Sequence, residues 1–80
     1  MEVKTKFKIN DQVFLMKDNR VIQREIIGVH VDLWSKEFKK MFKYVLDGVE
    51  YSFWEDNHES AFREYEQNVY ATKEELLMSL

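Results

Sequence analysis

The chain has 80 residues, no cysteine, no proline and a net charge of −3, which makes one domain with a modest core and leaves no room for a separate substrate domain. The lack of cysteine excludes disulfides and thiolate metal sites, and no apolar run approaches the roughly 20 residues of a membrane span. Charge is uneven, with ten Lys/Arg and six Asp/Glu in residues 1–43 (+4) against two and nine in residues 44–80 (−7), so two halves of one small fold attract each other or a basic face meets an acidic partner.

The N-terminus MEVKTKFKIN has no apolar signal core, and a cytoplasmic protein without membrane contact is expected. Residues 1–11 interleave Lys4, Lys6 and Lys8 with Val3, Phe7 and Ile9, which suits an edge strand or an extended arm. Asn10-Asp11 marks a turn. Gln12–Lys17 reads as a strand, Asp18-Asn19 as a tight turn of residues that tolerate left-handed φ, and Arg20 to about Val31 as a second strand. Alternation in that strand changes phase between Glu25 and Gly28, which predicts a bulge or sharp bend where Gly28 relieves crowding. In residues 32–41 Leu33, Trp34, Phe38 and Met41 are spaced for a helical stripe, but the segment is short for a helix and is read as a loop.

Phe42 to Trp54 carries the strongest local signal, because Asp-Gly between runs of aromatic and β-branched residues predicts a type I′ hairpin. With Asp47 and Gly48 as the turn, Leu46 faces Val49, Tyr44 faces Tyr51 and Phe42 faces Phe53. Those six form an apolar face, and Lys43, Val45, Glu50, Ser52 and Trp54 form the other. Glu55 to Gln67 is acidic and turn-rich at its start, and it reads either as a segment with a single helical turn around Ala61, Phe62 and Tyr65 or equally as a mobile insertion. Residues 68–71 suit a short closing strand. Thr72-Lys73-Glu74-Glu75 matches a capping box that opens a helix at 73–80, with Leu76, Leu77 and Leu80 toward the core.

Five antiparallel strands, a long bent second strand and a short final helix predict a single mainly β domain, a small barrel over about 7–71 capped by the C-terminal helix. The segments FKINDQVFLMKDNRVIQREIIGV, YVLDGVEY and NVYATKEELLMSL resemble small bacterial and phage proteins with an SH3-like (Tudor/KOW-type) barrel. That resemblance implies a fold. Such barrels bind proline-rich peptides, modified tails, nucleic acids or other proteins through variable loops, so the fold selects no activity. The basic linker at 36–43 and the acidic insertion at 55–67 are longer than the pattern, and no functional residue carries over.

No catalytic constellation assembles. His30 and Asp32 share a strand face without a third group, and a solvated acidic loop accounts for His58 between Asp56 and Glu59. Cys/His metal spacing, a Gly-rich phosphate loop and a nucleophile elbow are all missing from the sequence. The expectation is a non-enzymatic binding module with no cofactor and no metal. Its leading partner is a protein or peptide, held by an aromatic groove of Trp34, Trp54, Tyr65 and Tyr70. The alternative is nucleic acid, with Lys36, Lys39, Lys40 and Lys43 meeting phosphates beside the stacking rings of Trp34, Phe38 and Phe42. Overall acidity counts against it. A third possibility, self-association through a strand edge or the apolar side of the C-terminal helix, makes the chain a monomer or weak homodimer.

Overall fold

In the computed structural model, which describes residues 4–80, β1 (Gln12–Lys17) and β2 (Arg20–Glu25) form the hairpin that Asp18-Asn19 predicts. Both turn residues are left-handed, with φ of 52° and 63°, and Lys17 pairs with Arg20 across them. Primed turns match the right-handed twist of the strands, and Asp and Asn accept positive φ at little cost. Ahead of the hairpin, Asn10 is also left-handed, and the Lys8 amide donates to Asp11 Oδ2 at 2.9 Å. The turn at 8–11 stands, but residues 4–11 form an irregular arm and not a strand. Val3 lies outside the described residues.

The long second strand bends where its alternation breaks. After β2 the chain passes through Ile26 and Ile27 into β3 (Gly28–Asp32). The Ile26 amide donates to Asp11 O, beside β1, while the Ile27 amide donates to Ser52 O in the next sheet, both at 2.9 Å. One continuous segment thus serves two sheets and changes allegiance between adjacent residues. Gly28 marks the crowded side of the bend: a Cβ there would lie 3.2 Å from His30 Nε2 and 3.3 Å from Ser52 Cβ. Gly28→Ala is expected to cost about 1–2 kcal/mol through this overpacking, read as a lower urea midpoint with an unchanged slope.

Beyond β3 the chain departs from the expected hairpin. β3 pairs with β4 (Gly48–Trp54), so that Asp32 faces Gly48, Val31 faces Val49 and Val29 faces Tyr51. Residues 42–46 are not a strand, Gly48 does not have positive φ, and no type I′ turn exists at Asp47-Gly48. Of the six residues assigned to the apolar face, Val49, Tyr51 and Phe53 are buried, whereas Phe42, Leu46 and Tyr44 are exposed, Tyr44 to 98 %. The linker read as a loop contains α1 (Lys36–Met41), capped by Ser35, whose side chain accepts from the Phe38 amide.

β5 (Ala61–Tyr65) completes the second sheet along β4, in place of the expected helical turn, and it sets Phe62 against Phe53 at 5.4 Å between ring centroids. A 3₁₀ turn at Glu66–Asn68 leads into β6 (Val69–Tyr70), which pairs with β1. α2 (Lys73–Met78) follows, with Thr72 Oγ1 accepting from the Glu75 amide, the Thr72 half of the predicted capping box. Only Leu76 of its apolar side is buried; Leu77, Met78 and Leu80 are exposed. A six-residue helix lying on one patch of sheet covers one apolar position and leaves the others in solvent.

Among the described residues the architecture is therefore mainly β: six strands in two antiparallel sheets, ordered β2-β1-β6 and β3-β4-β5, with two short helices. Neither sheet closes on itself. Val13, Leu15 and Val69 from the first sheet meet Val49, Tyr51 and Phe53 from the second, and Ile26 fills the corner between them. No helix among the described residues is long and apolar enough to cross a membrane.

Candidate functional site

Residues 33–47 leave the second sheet between the paired residues Asp32 and Gly48 and carry much of the molecule's exposed apolar surface. Leu33, Trp34, Met41, Phe42, Tyr44 and Leu46 are all exposed, and α1 buries none of its residues. The radius of gyration, 14.1 Å, exceeds the about 12 Å of a compact chain of this length, in keeping with a projecting arm. Along it Trp34, Phe38 and Phe42 recur every fourth residue, one helical turn apart. Their rings form a ladder: Trp34 stacks on Phe38 at 4.8 Å with planes 12° apart, and Phe38 meets Phe42 at 4.7 Å.

Asp47 holds the root of this arm. Its carboxylate accepts the Trp34 amide at 2.9 Å and pairs with the Lys39 ammonium. The Lys39 hydrogen bond, followed by that of the Trp34 amide, holds its carboxyl below the ordinary carboxylate range. Asp47 thus serves as a clasp across the arm and not as a turn residue. Lys39 is occupied by it, while no acid among the described residues pairs with Lys36, Lys40 or Lys43. The arm combines an aromatic ladder with three available ammonium groups.

The four aromatics expected to share a groove occupy separate elements. Trp34 is on the arm. Tyr65, opposite Glu50 on β4, lines a cleft of about 250 Å³ at the arm's root together with Leu46, Asp47 and Glu66. Trp54 stands four residues beyond Glu50 along β4, about 13 Å at strand rise. It is 42 % exposed, as its place on the face opposite Tyr51 and Phe53 requires, and its ring lies 6.2 Å from His58. Together they border a second open cleft with Gln23, Arg24 and Asp56. Tyr70 sits beside Phe14 in the first sheet. Trp34 and Tyr65 are gathered around the arm; Trp54 and Tyr70 are not. The lysines of the alternative set, Lys36, Lys39, Lys40 and Lys43, all lie on the arm, beside the ladder.

Polar contacts elsewhere link strands and tie down loops. His30 Nε2 lies 2.6 Å from Ser52 Oγ across the β3–β4 ladder, in the crowded space where Gly28 has no Cβ. The acidic loop is tied down by Lys17–Glu55 and Arg24–Asp56 pairs, and the Lys17 ammonium also sits 3.7 Å from the centre of the Phe62 ring. Among the described residues no three His, Asp or Glu side chains converge to hold a metal ion. Sequence reading missed the arm as an element, although the four-residue spacing of Trp34, Phe38 and Phe42 was the signal for it. No family model matches the chain, and no curated protein or solved structure matches it.

Proposed function

We propose that the chain is a non-enzymatic, cytoplasmic binding module of the SH3-like barrel type that docks a protein or peptide on its aromatic arm. Several features support the barrel reading: the shared β2–β3 strand, the 3₁₀ turn before the last strand and the return of β6 to β1. The observation that carries the docking reading is the exposure of Leu33, Trp34, Met41, Phe42, Tyr44 and Leu46 on one segment. Exposed apolar side chains concentrated on one segment mark interaction sites, and aromatic and Met side chains are the ones enriched where proteins meet. Lys36, Lys40 and Lys43 rim the surface, so the matching partner is an acidic, apolar segment.

The ladder and its lysines also favour a second reading, single-stranded nucleic acid stacked on Trp34, Phe38 and Phe42. A Trp54→Phe background makes Trp34 the sole indole, and its emission then distinguishes the two. Titration with a peptide alternating Glu and Leu is expected to shift the emission to the blue, and Lys36→Glu/Lys40→Glu/Lys43→Glu is expected to weaken that binding at least about tenfold. A response to an oligonucleotide at low salt, with none to the peptide, would transfer the site to nucleic acid.

A further inference from the structure

Among the described residues, exposed apolar side chains also gather on the C-terminal helix. Leu77, Met78 and Leu80 project from α2 and the turn after it, where Glu74 and Glu75 are also exposed. The arm carries four lysines against Glu37 and Asp47, a net +2, which leaves −5 on the rest of a chain whose total is −3. α2 itself carries Glu74 and Glu75 against Lys73, a net −1, so the two apolar patches bear charges of opposite sign. They also belong to different sheets: the arm springs from the β3–β4 end of the second, and α2 packs on β1 and β6 of the first.

We propose that the partner of the arm is the C-terminal face of a second copy of this chain, in a head-to-tail contact. This rests on the arm being a protein-docking surface, and it names the occupant. Arm against arm would oppose Lys36, Lys40 and Lys43 with themselves, so a two-fold contact through the arm is disfavoured. Arm against α2 sets those lysines beside Glu74 and Glu75, and Trp34, Phe42 and Tyr44 against Leu77, Met78 and Leu80. A heterologous contact of this kind leaves a complementary surface at each end and continues into chains or rings. Three apolar side chains on the smaller side cover well under the roughly 800 Å² per partner of a stable interface, so association is weak and rises with concentration.

Light scattering of the intact chain from about 10 μM to about 1 mM, the range of a weak contact, tests this. The average mass is expected to climb with concentration and to fall back toward the monomer in high salt. Two variants change only exposed positions: Lys36→Glu/Lys40→Glu/Lys43→Glu disables the arm, and Leu77→Ser/Leu80→Ser disables the C-terminal face. Each alone is expected to stay monomeric with an unchanged circular dichroism spectrum. Mixed in equal amounts they retain one good arm and one good face between them and are expected to form a species of two chains that grows no further. A wild type that stays monomeric throughout overturns the self-association, as does growth that persists in either variant. If the arm of that monomer still takes up the Glu/Leu peptide, the identity of the partner fails while the docking surface stands. If it does not, both fail.

Discussion

Phe53→Ala is expected to lower the free energy of unfolding by about 3–5 kcal/mol, whereas Tyr44→Ala is expected to change it by no more than about 0.5 kcal/mol. Phe53 has no exposed surface and packs on Phe62 between the sheets, and Tyr44 is 98 % exposed on the arm. The two residues flank the same Asp-Gly and belong to one apolar face if the local hairpin forms. An 80-residue domain has about 4–12 kcal/mol of total stability, so the Phe53 variant sits near the threshold of folding. Its thermal midpoint should drop by well over 10 °C at about 4–8 °C per kcal/mol. Circular dichroism melts of the two variants beside wild type make the comparison. Equal destabilisation by both would mean that residues 42–46 pair with β4 after all.

The second large effect lies at high pH. Tyr51 is fully buried, yet its hydroxyl donates to Glu66 Oε2 at 2.5 Å and accepts the Phe7 amide at 3.2 Å, while the Lys6 amide donates to the same Glu66 oxygen at 3.0 Å. This network ties the N-terminal arm to the 3₁₀ turn. Burial, followed by the hydrogen bond to Glu66, pushes the phenol from 10.0 up to about 12. The folded state therefore keeps a proton that the unfolded chain releases between those two values, and stability falls as pH rises through that window. The contribution is intact below pH 10. Two units at about 1.4 kcal/mol each put the alkaline loss on the order of 2–3 kcal/mol. Tyr51→Phe is expected to cost about 1.5–3 kcal/mol at neutral pH, because the Glu66 carboxylate loses its hydroxyl donor, and to flatten the alkaline decline. Urea unfolding at intervals between pH 9 and pH 12 measures both. A decline of equal size in the phenylalanine variant would remove Tyr51 as its source.

How legible these elements are in the sequence depends on the range of the interactions that form them. The β1–β2 turn and the Thr72 cap rest on neighbours within a few residues and can be read directly, and the phase break ahead of Gly28 and the alternation of Val49, Tyr51 and Phe53 are local patterns too, although the contacts that use them are long-range. Asp47-Gly48 carries an equally strong local signal and yields a different structure. Asp47 finds the Trp34 amide and the Lys39 ammonium, and β4 finds β3 as its partner. Pairing with β3 buries Val49 and Tyr51 in the core, a long-range gain that no local pattern displays. α1 is hard to see for the opposite reason: six residues hold too little intrinsic helicity to stand out, and its ring ladder becomes decisive only once Ser35 caps it and Asp47 fixes its base. Of the candidate site, Trp34 and the four lysines are legible as a basic aromatic segment. That Trp54 and Tyr70 lie elsewhere follows from sheet register, which sequence alone does not supply.

The pairing of Asp32 with Gly48 also bears on how freely the arm can be changed. Residues facing each other across an antiparallel ladder keep their Cα atoms about 5 Å apart, so the sheet holds the two ends of the arm together, beside the Asp47 clasp within it. Loop closure grows only as the logarithm of length, about 0.6 kcal/mol per doubling. Residues 33–47 can therefore be lengthened, shortened or replaced at small cost to the sheets beneath them. The core residues of both sheets lie outside this segment, so such changes are expected to leave the packing of Val13, Leu15, Tyr51 and Phe53 intact.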